Sequence, residues 1–263
     1  MWTARRQVRS NVVALAALAA VLLPGRLPAE DQPVGTPSQA VAQVTAATST
    51  PGEARIRAMI TAAWDDATAT WSQILGAAAY ERDTPRINFV SAVNASHCYG
   101  LYLSAGPVYC FGNNTVFVSL GEMQRLDNRI AGLGDEGLAF LVAHELGHHV
   151  QKVTGRLGVL NSLSRSSPGR QRELSLRFEL EADCLAGVWA GKSAAFAESG
   201  AVRTSMLASL EAIGDDKVQL ASYGRTDPST YTHGTSAQRS RWFKTGLDGG
   251  SAEACAVLEA ADY

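Results

Sequence analysis

The rhythm of apolar and polar positions changes several times along the chain. From Pro51, PGEARIRAMITAAWDDATATWSQILGAAA sets Ile56, Met59, Ile60, Trp64, Trp71 and Ile74 near helical spacing, with Pro51 suited to a first turn. One or two helices are expected there. The stretches RINFVSAV, PVYCF and TVFVSL instead alternate and are rich in β-branched residues, and GNN between the last two supplies residues that tolerate positive φ. They predict a small antiparallel sheet with a hairpin turning at Gly112 to Asn114. Helical rhythm returns in EGLAFLVAHELGHHVQKVT, with Asp135 as N-cap and Gly155 past its end. A polar loop, SLSRSSPGR, separates it from a second long helix, QRELSLRFELEADCLAGVWAG, closed by glycine. Further helical patterns occupy about 195–212, 236–246 and 251–260. The predicted class is α+β, mainly helical with a small sheet.

The segments before Pro51 carry a different pattern. Arg5, Arg6 and Arg9 precede an apolar run from Val12 to Leu23. That run is short of the roughly 20 apolar residues a bilayer span requires and has the length of an export signal. Residues 1–29 are therefore expected to be a signal peptide cleaved after Ala29, or, since Leu27 is large for a cleavage site, a retained anchor attached to the membrane through 12–23. Residues 30–50 have almost no large apolar side chain and cannot bury enough surface to offset their ordering entropy, so they read as a disordered linker. The domain proper spans 51–263.

Composition narrows the setting. A chain of 263 residues with 46% hydrophobic and 18% charged residues is long enough for one folded domain with a real core. Its net charge of -2 gives no basic footprint for nucleic acid. Four cysteines, at 98, 110, 184 and 255, include no Cys-x-x-Cys pair, which favours two disulfides in an oxidising, extracytoplasmic compartment. Cys98 and Cys110 flank a short loop that can close locally, which leaves Cys184 for Cys255, although four cysteines allow three pairings.

Candidate chemistry lies in VAHELGHHVQ. Each helical residue turns about 100°, so His144 and His148 share a face and both imidazoles can reach one ion. Zinc held by two histidines and a carboxylate keeps a position for water and lowers the pKa of that water to near 7. Glu145, beside the first ligand, is the candidate general base. Its apolar flanks make an uncompensated charge costly, and a metal with its water would explain it. His149 stands at the wrong interval and reads as a supporting or merely helical residue. A third ligand is expected from ELEAD: Glu179 on the metal, with Asp183, one turn on, accepting the other ring N–H of a histidine, His144 foremost. Glu181 points about 200° away from Glu179 and reads as a solvated or packing carboxylate.

The segments VAHELGHHVQ, ELEADCLAGVWAG and YTHGTSAQRSRWF, in this order, resemble the bacterial neutral zinc metallopeptidase family, whose members look like zincins. The similarity runs from about Ile87 to the C-terminus and includes HCYGLYLSAGPVYCFGNNTVFVSLG. It implies Zn2+ on His144, His148 and Glu179, Glu145 as catalytic glutamate and Asp183 as support. It also favours His233, projecting from a turn before a helix capped by Ser236, as the donor that stabilises the oxyanion, with Tyr231 a weaker candidate. Arg239 and Trp242 are expected to pack and pair within that final helix, and His97 to be structural or exposed. The implied activity is hydrolysis of a peptide or protein substrate by zinc-activated water. In a rival reading the zinc only stabilises a non-catalytic, exported binding domain. If the strand NTVFVSL lies at a sheet edge over the cleft, it could hold an extended peptide, so Val118→Pro should impair peptide binding more than zinc binding.

Overall fold

The structure, a computed structural model, describes residues 50–77, 80, 83–93, 95–98, 106–130, 133–194 and 200–263. Thr50 apart, the leader or anchor at 1–29 and the linker at 30–50 lie outside the described residues.

Helix α1 (Pro51–Leu75) starts where its sequence supplies a complete cap: Thr50 and Glu53 bond each other's backbone N–H reciprocally, and Pro51 opens the first turn. It buries Ile56, Ile60, Trp64 and Trp71, whereas Ile74, expected on the same face, is exposed. Strands β1 (Arg86–Val90), β2 (Val108–Cys110) and β3 (Thr115–Ser119) follow, then helices α2 (Leu120–Arg129), α3 (Gly134–Val153), α4 (Arg156–Ser166), α5 (Gln171–Lys192), α6 (Gly200–Ala212), α7 (Asp215–Tyr223) and α8 (Ser236–Gly249). The molecule is α+β and mainly helical.

Several local expectations change. The sheet is mixed, not antiparallel: its order is β1-β3-β2, with β1 parallel to β3 and β2 antiparallel to it. The hairpin is present, and Asn114 takes the positive φ, 56°, that its turn demands. Strand β3 is central and every residue of it is buried. It is not the edge over the cleft, and Val118→Pro would delete sheet bonding rather than probe a substrate. Much of the expected polar loop SLSRSSPGR is helical: α4 runs to Ser166, and a 3-10 turn fills Pro168–Arg170. Asp135 lies inside α3 and pairs with Arg55, while Leu133 precedes the helix without a side-chain cap. Thr235, not Ser236, caps α8, in a capping box with Gln238. Ser193, not glycine, ends α5, and the C-terminal pattern makes two 3-10 turns, Ala252–Cys255 and Val257–Glu259.

Helix α3 runs through the core and packs against both α1 and α5. Two glycines set the spacing that matters. A Cβ on Gly147 would stand 2.9 Å from the Ala182 carbonyl, so only glycine lets α3 approach α5 this closely. At Gly187 a Cβ would meet the Phe243 carbonyl at 2.0 Å, which fixes the approach of α8 to α5. Disulfides join Cys98 to Cys110, at the end of β2, and Cys184 to Cys255, tying α5 to the C-terminal turns. Two disulfides are consistent with an extracytoplasmic location. Among the described residues no helix is long and apolar enough to cross a membrane.

Candidate metal centre

The close approach at Gly147 and Ala182 brings His144, His148 and Glu179 together, one turn of α3 facing one turn of α5. Glu179 Oε2 lies 3.2 Å from His144 Nε2 and 3.2 Å from His148 Nε2. The three ligand atoms lie within 4.8 Å of one another. Donors about 2.1 Å from a tetrahedral zinc stand about 3.4 Å apart, so the spacing suits that ion.

The hydrogen bonds behind the rings make a sharper test of fit. His144 Nδ1 is 2.8 Å from Asp183 Oδ1, and His148 Nδ1 is 2.8 Å from Gln151 Oε1. Both partners accept, so both Nδ1 atoms donate and each Nε2 of a neutral ring offers a lone pair. Two lone pairs and a carboxylate oxygen then face one another, an arrangement that needs positive charge at its centre, either extra protons or a metal cation. The residues present therefore fit a divalent ion.

The electrostatics agree. Burial opposes charge on every member, yet Asp183 and Glu179 raise His144 to about 10. Glu179 likewise pushes His148 up against burial. Although burial works against it, the rings of His148 and His144 hold the Glu179 carboxyl well below its ordinary value. Burial also opposes ionisation of Asp183, but Arg239, whose Nε and Nη2 each donate to it at 2.9 Å, keeps it ionised. Arg239 thus pairs with α5, not within α8.

Glu145 reaches the strand edge instead of the ligand cluster, and its Oε2 accepts the Tyr109 backbone N–H at 2.6 Å. Burial raises its carboxyl above the ordinary range, against the pull of His148 and His144. A cavity of about 340 Å³ opens at this point, lined by Glu145, His148, Glu179 and His233 and by an apolar wall of Val108, Phe111, Leu157, Leu160 and Phe178. The strand on this cavity is β2, at the sheet edge.

His233 lines the same cavity, with Nε2 3.8 Å from Glu179 Oε2. Its loop is held by one carboxylate: Asp215 Oδ2 accepts the backbone N–H groups of Thr232, His233 and Gly234 at 2.7, 2.7 and 2.9 Å. Tyr231 is buried and does not line the cavity. His149 is buried away from the cluster, 2.9 Å from the Tyr109 hydroxyl, and burial takes it down to about 4, so it is neutral. His97 packs on Phe117. Glu181 is neither solvated nor a mere packing group: it is buried and bound by Arg156 at 2.9 and 2.8 Å.

Sequence reasoning passes over Gln151 and Tyr109 and gives Arg239 the wrong partner. Gln151 carries a signal, three residues beyond His148 on the same helix. Arg239 has none, since its partner is 56 positions away, and Tyr109 acts through a backbone N–H that any residue but proline supplies.

Residues 7–258 match the family model described as "Putative neutral zinc metallopeptidase". The chain is similar to Uncharacterized protein YpfJ of Escherichia coli (strain K12), 33% identical over 205 residues, which is 77% of this chain and 70% of that one. It is also similar to Uncharacterized protein Rv2575 of Mycobacterium tuberculosis (strain ATCC 25618 / H37Rv), 32% identical over 219 residues, 79% of this chain and 72% of that one. No solved structure matches it.

Proposed function

The chain belongs to the neutral zinc metallopeptidase family, and on that premise we propose that it is an exported, zinc-dependent peptidase in which Glu145 handles the proton. The observation that carries the proposal is the meeting of His144 Nε2, His148 Nε2 and Glu179 Oε2 beside a carboxylate that ligates nothing. His144, His148 and Glu179 would hold the zinc, and Asp183 orients His144. Zinc there supplies a Lewis acid that polarises the scissile carbonyl and acidifies water.

The rest of the chemistry falls to this chain's own groups. Glu145 Oε2 is occupied by Tyr109, so Oε1 takes the proton of the attacking water and returns it to the leaving nitrogen. Burial, by raising that carboxyl, brings it nearer the neutral range where a base and an acid are needed in turn. His233 Nε2 donates to the oxygen that gains charge. A substrate main chain runs in extended form along the cavity beside edge strand β2, and the wall from Val108 to Phe178 receives a large apolar side chain next to the cleaved bond. The substrate is accordingly a peptide or an unfolded protein segment. Export is supported by the two disulfides and by the leader-like pattern at residues 1–29, which delivers a secreted protein or one anchored through 12–23.

The test compares wild type with Glu145→Gln in digestion of an unstructured protein, with zinc content measured on both. The expected outcome is a loss of at least about 100-fold in kcat with zinc retained. Equal hydrolysis by both would remove Glu145 from the chemistry, and no hydrolysis by the zinc-loaded wild type would leave the non-catalytic binding domain.

A further inference from the structure

Gln151 is completely buried on α3 and makes no contact with the cavity. Its Oε1 meets His148 Nδ1 at 2.8 Å, while its Nε2 donates to the Phe178 carbonyl at 2.7 Å and to Glu181 Oε1 at 3.4 Å. A main-chain carbonyl and a carboxylate only accept. The NH2 end of the amide must face them, because a reversed amide would set oxygen against oxygen in a buried place. Its oxygen end must then face His148. Glu181 is itself fixed by Arg156, whose guanidinium also reaches Glu259 at 2.8 and 2.6 Å. A neutral imidazole carries one proton, and an acceptor on Nδ1 draws it there.

Resting on the reading of His144, His148 and Glu179 as the metal's ligands, we infer that Gln151 is a positioning residue for zinc: its amide, turned by the Phe178 carbonyl and Glu181, fixes His148 in the tautomer whose Nε2 lone pair faces the metal. Without that acceptor the proton is free to sit on Nε2, where Glu179 Oε2 at 3.2 Å would hold it in the metal's place.

The experiment is zinc competition against a chromophoric chelator with wild type and Gln151→Met, which keeps the bulk and loses the acceptor. Zinc binding is expected to weaken about 10- to 100-fold. A role in packing alone would lower the unfolding midpoint of the metal-free protein and leave the zinc affinity of the folded protein unchanged, which would overturn the inference. A second measurement needs no variant: in the long-range proton–nitrogen NMR spectrum of the zinc-loaded wild type, His148 Nδ1 should carry the proton and Nε2 the metal. The reverse assignment overturns the inference as well. Zinc bound through His148 Nε2 in a protein that cleaves nothing removes the peptidase reading and leaves this one. Unaltered zinc binding by a Gln151→Met protein that still cleaves does the opposite.

Discussion

The two histidines of α3 that face Glu179 are identical in type and one turn apart, yet they are held by different physics. Behind His144 stands an ionised pair, Asp183 with Arg239, in which the carboxylate is wholly buried and the guanidinium nearly so. Behind His148 stands a neutral amide, with Glu181 one hydrogen bond further out and Arg156 beyond Glu181. The first arm orients its ring by charge and depends on two desolvated ions remaining matched. The second orients its ring through the direction of an amide, and on the Nδ1 side the nearest full charge stands beyond that amide. One arm is therefore costly to break and the other cheap to mis-set.

The largest expected effect follows from breaking the charged arm. Arg239→Met leaves the buried Asp183 carboxylate with His144 as its one remaining partner and should cost about 3–5 kcal/mol in chemical unfolding of the metal-free protein. Adding Asp183→Asn makes the His144 arm neutral, like its neighbour, and most of that loss should return; no recovery in the double variant would mean that charge matching is not what separates the arms. On the amide side, Gln151→Met should cost about 1–3 kcal/mol in the same assay, the range for a buried polar group left unpaired. A loss as large as that of Arg239→Met would erase the contrast.

The pH dependence gives a test of the charged arm. His144 rises from 6.5 to about 10 in the metal-free fold, so its contribution to stability is full below 6.5 and disappears as pH climbs through about 10. Zinc must expel that proton. Affinity should therefore strengthen with pH between those limits, by about tenfold per unit for each proton released. Calorimetry in buffers of different ionisation enthalpy counts the protons. The smallest effect is expected from Tyr109→Phe, which removes the hydroxyl from His149 but keeps the backbone N–H on Glu145: about 1 kcal/mol of stability, and little change in hydrolysis.

What the sequence discloses and what it hides divide along the same line. His144, His148, Glu179 and Asp183 stand out because helical periodicity places each pair on one face, and because apolar flanks make their charges conspicuous. Gln151 is concealed by being an ordinary neutral residue, although its three-residue interval from His148 is a usable sign. Arg239 and Arg156 meet their partners only through the packing of separate helices, which no local pattern encodes. The sheet was harder still: TVFVSL carries the strongest strand signal because it is buried on both faces, and the same burial makes it central. The short segment VYC, also read as a strand, is the edge that meets Glu145, and nothing in its pattern marks it as such.

The most direct test of the account is the zinc content of the wild type and of His144→Ala, His148→Ala and Glu179→Ala after equilibrium dialysis. One zinc per chain in the wild type, lost or strongly weakened in all three variants, is the predicted result. Zinc retained at full stoichiometry in any one of them would contradict a shared site built from two turns of α3 and α5.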